Sequence, residues 1–595
     1  MGELSAAEER VRAGDGVLGT PGYDEVASGQ GWPASRQVRA AVVVELLTRR
    51  DPPRRTVSVE GALIVGDLDL SKVTTTSPLF LRRCFVDGDL SLAGARTDRV
   101  DLDGCHVRGR LVATSLVAQD SVLVTNAVCE AGVWMPGAEV RGTLGFSGSR
   151  MGGHGSGSLQ AAYLTARSFV MTAADCDGRV DLQNAHVTGP VTLNGTYIRG
   201  TDDVALGADS LRAASLACQG DAATGREFRA LGTVRLLDAR VDAGTVNFAG
   251  ASVAATRRGE VDDTGDALVA SRLRCSAGVF LRNGFTAVGA VDVRGAAIGG
   301  QLDCSAAHLQ GSPVSLRCDR TTIGEDLLLN RSFTAAGTVH LNGTTVDQQL
   351  SLRSSTLTGT TGPALVVNDV RANQLVIDWA AVPLGVVDLT GSTVGTLVDD
   401  PGTWPAPGDL VLGDLTYRSL AVPGTAAQRL GWLARDRYGY VPGAYEVLAA
   451  AFRLQGDEDS AREVLIGKQR ARREHTGGRH APARWWSAFL RWTVGYGYAP
   501  ARIVPWFVGL LLAGWVLFAG PLAGAMVATG DSARVRGFQA FLYVLDLLLP
   551  VASLGVRDGW TPTGAAQVVV VAWTLAGWVL GLTLVAAISG ALRRD

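Results

Sequence analysis

Residues 279–309 read VFLRNGFTAVGAVDVRGAAIGGQLDCSAAHL, and residues 327–357 read LLLNRSFTAAGTVHLNGTTVDQQLSLRSSTL. The offset is 48 residues, and apolar positions coincide: Leu281 with Leu329, Phe285 with Phe333, Val291 with Val339, Ile298 with Val346, Leu302 with Leu350. Within each copy apolar residues recur two apart, as in Val291/Val293, Leu302/Cys304, Val339/Leu341 and Leu350/Leu352. A period of two puts both members of a pair on one face of a strand. The residue between them, Asp292 or His340, falls on the other face.

Earlier stretches repeat this grammar at tighter spacing. GDLDL (66–70), GDLSL (88–92) and GRLVA (109–113) place Leu68, Leu90 and Leu111 at steps of 22 and 21 residues. Between them Leu90, Ala95, Val100 and Cys105 fall every five residues, which is similar to the pentapeptide-repeat pattern. Short strands, frequent turns and a coil of 21–25 residues predict a mainly β protein built on a right-handed or quadrilateral parallel β-helix. At that period residues 57–398 make about fifteen coils, each burying its inward residues by stacking on the next. The expected organisation is an N-terminal helical cap (1–56), the solenoid (57–400), a linker with a helical hairpin (401–484) and a membrane domain (485–595).

The formal net charge of −2 argues against a nucleic-acid surface, and only Lys72 and Lys468 among the 55 basic residues are lysines. MGELSAAEERVRAG at the start is charged and lacks the apolar run of a signal peptide, so the solenoid is expected in the cytoplasm with its eight cysteines reduced. No cysteine forms a CxxC or a zinc-like Cys/His spacing. Cys304 takes the place of Leu352 in the repeat, so the cysteines are expected as small core residues. The seven histidines include no HExxH, and His340 corresponds to outward Asp292, so a solvated or ladder-bonded role is expected. Neither a catalytic set, a cofactor motif nor a metal motif is found.

SRQVRAAVVVELLTR (35–49) carries Val38, Val42 and Leu46 at helical spacing behind Ser35 as N-cap, and it is expected to cover the first coil. PGTWPAPGD (401–409) is expected to end the array. YEVLAAAFRLQGDEDSAREVL (445–465) then resembles a tetratricopeptide-like hairpin, with Tyr445, Leu448, Ala449 and Phe452 packing on Ala461, Val464 and Leu465. A single such hairpin reads as a connector.

Residues 503–527 and 566–592 are long and apolar enough to span a bilayer. Basic residues between Lys468 and Arg502, and again Arg593 and Arg594, favour two spans with both termini cytoplasmic. The helix between the spans (538–550) is then re-entrant or interfacial. It carries Gln539, Tyr543 and Asp546 as one polar stripe. An ionisable group at membrane depth is costly unless paired or wet, so Asp546 is a functional candidate, or else a stripe residue that touches water or pairs with Arg557.

Two motifs are decoys. TVGYG (493–497) spells the filter of a potassium channel. It follows GKQRARREHTGGRHAPAR, which cannot lie in hydrocarbon, so Trp485, Trp486, Trp492, Tyr496 and Tyr498 are expected as interfacial anchors. GDGVLG (14–19) is a literal GxGxxG without the strand and helix that dinucleotide binding requires.

SAAEERVRAGDG (5–16), GWPASRQVRAAVVVELL (31–47), LIVGDLDLS (63–71) with PLFLRRC (78–84), PGAYEVLAAAFRLQGDEDSAREVLIGKQ (442–469), TVGYGYAPAR (493–502), LYVLDLLLPVASLGVRDGWTP (542–562) and GWVLG (577–581) carry a resemblance that extends over nearly the whole chain and is specific in the C-terminal third. They resemble a family of membrane proteins from high-GC bacteria, related to pentapeptide-repeat proteins and often labelled "membrane-associated oxidoreductase". The resemblance implies the same fold and an inner-membrane location. No residue here carries the oxidoreductase label, so no catalytic position is transferred. The leading expectation is a membrane-anchored scaffold for a protein partner, without a cofactor. The partners expected are the lipid bilayer, a protein on the β-helix surface and a second copy of the chain. The alternatives are an ion-conducting module that uses the Asp546 stripe and, by label alone, a redox enzyme.

Overall fold

The computed structural model describes residues 4–29, 31–48, 56–153, 155, 157–256, 265–359, 362–476, 503–529, 537–549 and 554–592. The chain divides into two compact units, Met1–Gln455 and Gly456–Asp595.

The first unit is a parallel β-solenoid of about 16 turns. The 48-residue repeat is two turns: Val279 stacks on Leu302, Leu302 on Leu327, and Leu327 on Leu350, at steps of 23, 25 and 23 residues. One inward column begins Leu68–Leu90–Leu111–Val133 and ends Val339–Leu365–Val387–Leu410, every member of these stretches being buried. Most strands are two or three residues long, because each turn bends at corners every few residues. Corners of the turns sit in the left-handed region; one column of them is occupied by Gly94, Gly137 and Gly295 in some turns and by Lys72, Ser115 and Arg272 in others. A side chain there costs about 1 kcal/mol. The inter-turn bonds hold the corner regardless: the amides of Lys72 and Gly94 donate to Ala93 and Thr114.

At the N-terminus the expected helix from Ser35 is replaced by three elements. Residues Ala34–Arg36 form a 3-10 turn, Gln37–Arg39 form a strand paired with Leu63–Val65, and helix α3 spans Ala40–Thr48. Val38 is therefore a strand residue, and the helix buries Val42, Val43 and Leu47, not Leu46. Two shorter helices precede it, α1 (Ala6–Ala13) and α2 (Tyr23–Ser28). Ser5 and Glu8 form a capping box on α1, and Glu8 also receives Arg39 Nε at 2.7 Å. The Arg39 bond holds the Glu8 carboxyl down at about 2. Its stabilisation is thus complete above the ordinary carboxylate range and lost as the pH falls through about 2. The GxGxxG serves backbone approach, since a Cβ on Gly16 would lie 1.8 Å from the Ser58 carbonyl oxygen.

At the other end the array continues past 401–409, contrary to the expected boundary. Leu410–Val411 and Thr416–Leu420 stack on the preceding turn. Helices α4 (Ala426–Leu433) and α5 (Pro442–Leu454) follow, and α5 packs on the strand Thr416–Leu420. Arg429 of α4, almost wholly buried, donates to both oxygens of buried Asp399 at 2.6 and 2.8 Å. Trp404 Nε1 donates to the same carboxylate at 2.7 Å, and Arg429 also donates to the Pro423 and Val422 carbonyls.

In the second unit α6 (Glu458–Thr476) buries Ala461, Val464 and Leu465. Its N-cap is Asp457, which accepts from the Ser460 amide at 2.9 Å. Three apolar helices follow: α7 (Ile503–Ala519), α8 (Ala540–Leu548) and α9 (Ala565–Leu592). Instead of running to 527, α7 stops at Ala519, giving 17 residues or about 25 Å. Its continuation, Met526–Ala528, pairs antiparallel with Trp560–Pro562. Gly577 of α9 lets α8 approach closely, since a Cβ there would lie 2.8 Å from the Leu548 carbonyl oxygen.

Removing one partner of the Asp399–Arg429 pair leaves a buried charge unmatched. Arg429→Ala is expected to lower the local opening free energy of the last turns by about 3–5 kcal/mol. Hydrogen exchange of residues 410–420 measures it.

Candidate functional site

The sequence points to the stripe on α8, and the structure sends its three residues to three environments. Gln539 is exposed at the N-cap position and makes no side-chain cap bond. Tyr543 is fully buried, between the rings of Phe518 at 5.5 Å and Phe538 at 5.4 Å. Asp546 is buried in the last turn of α8, where Pro550 follows.

Asp546 faces backbone donors. Its Oδ1 accepts from the Leu554 amide at 2.8 Å, and its Oδ2 from the Val556 and Arg557 amides at 3.1 and 2.8 Å. Arg557 is thus the neighbour the sequence suggested, joined through its main-chain N–H, while its side chain is exposed. Bonds of this kind to a charged acceptor offset the cost of removing a carboxylate from water. The chemical work of this carboxylate is to fix the bend between α8 and the 3-10 turn Arg557–Gly559. Around it Phe518, Val544, Leu547 and Leu548 form an apolar cluster with Met526 and Ala566.

Elsewhere the reactive side chains are absorbed by the solenoid. All eight cysteines are buried and free, and burial pushes the Cys129 thiol up to about 12. Cys304 is fully buried at the place of a leucine, as the repeat implied. His106 Nε2 meets Glu130 Oε1 at 2.7 Å and its ring lies beside Phe85, while His308 Nδ1 meets Thr334 Oγ1 at 2.9 Å. Half-buried His340 is shifted down by desolvation. Asp292, on the same column, is outward yet covered by the Arg294 guanidinium. Among the described residues no group of three His, Cys, Asp or Glu side chains is placed to hold a metal ion. The expected anchors Trp485, Trp486, Trp492, Tyr496 and Tyr498, and TVGYG with them, lie outside the described residues.

Asp546→Ala is expected to release the amides of residues 554, 556 and 557, raising their hydrogen-exchange rates about ten-fold or more. A thiol reagent is expected to label none of the eight cysteines in the native protein and all eight in denaturant, as counted by mass spectrometry.

No family model, curated protein or solved structure matches the chain. The resemblance drawn from the sequence motifs therefore stands as an expectation.

Proposed function

We propose that the chain is a membrane-attached scaffold. A pentapeptide-like, quadrilateral solenoid presents rigid outward columns to a protein partner, and the C-terminal helices seat it in a bilayer. The observation that carries this reading is the apolar surface of α9, where Val568 and Leu575 are 72% and 60% exposed. Water penalises such a surface and lipid does not. α9 has 28 residues, about 42 Å, against a hydrocarbon core of about 30 Å. It is the one helix among the described residues long and apolar enough to cross.

On this reading α7, at 17 residues, crosses with local thinning of the bilayer, and α8 is the re-entrant piece. The basic residues preceding α7 and following α9 then lie on the cytoplasmic side. The N-terminal helices close one end of the solenoid, and α4 and α5 close the other. Among the described residues nothing around Gln539, Tyr543 and Asp546 favours conduction over this role.

Alkaline carbonate extraction of native membranes tests the attachment. The chain is expected to stay in the pellet, and Val571→Arg with Leu575→Arg to shift it to the supernatant. Release of the unmodified chain would overturn the reading. Mild detergent purification is expected to yield a colourless protein with a partner protein in fixed ratio; a bound chromophore would instead favour the oxidoreductase expectation.

A further inference from the structure

On one sheet of the solenoid, the first residue of one strand per turn lies on the outward face and stacks on its counterpart in the next turn. In three successive turns this residue is arginine: Arg212 pairs in register with Arg240, and Arg240 with Arg274. His186 stands one turn before them. Parallel strands lie about 4.8 Å apart, so the three Cα atoms span about 10 Å. Like charges directly opposite destabilise a sheet. All three side chains are exposed and make no direct hydrogen bond or ion pair with a described residue, though the charges of Arg240 and Arg274 also act on nearby Asp238. Asp238, on the neighbouring corner, is engaged by Arg272 through two bonds of 2.7 and 2.6 Å.

Beyond Arg274 the same face becomes small. Gly295, Ala297, Gly299 and Gly324 floor a depression of about 740 Å³ that crosses five turns. Arg240 and Arg274 stand at one end, with Asp242 beside them; Thr322, Thr345 and Asp347 stand at the other. From Arg274 to Thr345 is three ladder steps, about 14 Å. Arg240 and Arg274 are the two of these arginines that line the depression; at their end Asp238 and Arg272 cancel, and Arg240 and Arg274 less Asp242 leave a charge of +1.

Two exposed arginine forks at one end of a depression and hydroxyls at the other fit one kind of ligand. A phosphomonoester carries about −1.5 to −2 at neutral pH and presents three acceptor oxygens, which suit the planar donor fork of arginine. The hydroxyls of Thr322 and Thr345 and the carboxylate of Asp347 can exchange hydrogen bonds with a hydroxylated body. We propose that this depression binds a small phosphomonoester with a hydroxylated body, its phosphate on Arg240 and Arg274. This site is independent of the scaffold reading and of the membrane helices.

Calorimetric titration of the full chain in detergent tests it, with glucose 6-phosphate, inorganic phosphate and glucose as probes. Glucose 6-phosphate is expected to bind saturably, more tightly than inorganic phosphate, with glucose undetected. The double variant Arg240→Gln/Arg274→Gln is expected to weaken glucose 6-phosphate about ten-fold or more. Arg229→Gln, an exposed change on the other sheet, is expected to leave its affinity unaltered. Circular dichroism melting reads whether each variant keeps its fold. Absence of saturable binding, or equal binding by a folded Arg240→Gln/Arg274→Gln variant, would overturn the site. Equal affinity for inorganic phosphate and glucose 6-phosphate would overturn the hydroxylated body.

Discussion

The hydrogen bonds that hold the solenoid run between turns. The amide of Leu90 donates to the Arg110 carbonyl, that of Leu92 to Val112 and that of Gly94 to Thr114. A turn therefore has few partners of its own and is completed by its neighbours. One position per column must be supplied at each step, and whatever extra length a turn carries has to leave at a corner. The fully buried column that includes Leu68, Leu90 and Val339 is the consequence, and so are the left-handed corners at Lys72, Gly94 and Arg272.

That constraint explains how much was legible in the sequence. Leu68, Leu90 and Leu111 sit at near-constant spacing, so their stacking could be read directly. Arg212, Arg240 and Arg274 stack as faithfully, but the steps between them are 28 and 34 residues because those turns carry extra residues. No fixed period finds them. The boundary expected at 401–409 fails for a related reason. A proline-rich corner resembles a linker until the strands beyond it, Leu410–Val411 and Thr416–Leu420, are seen to stack. At Ser35 the helical spacing of Val38 and Val42 was overridden by the pairing of Gln37–Arg39 with Leu63–Val65.

Of the stripe, the sequence singled out Asp546 as a residue but not the groups that surround it. Asp546 stood out as a charge in an apolar segment, and its partners are amides of the chain that returns after Pro550. Main-chain donors leave no mark in the sequence. The same holds for Asp399, whose partner Arg429 lies 30 residues away across a corner and a helix start. Each carboxylate is buried where a regular element ends and the backbone has to be redirected.

The pair at Asp399 and Arg429 has a kinetic consequence. A stack whose turns bond only to their neighbours comes apart most easily from an end, where a turn has one neighbour and not two. Unravelling from the C-terminal end would first have to separate two ions held away from water. Opening from that end, by heat or by a protease, would then be slowed by one residue pair at the edge of the array.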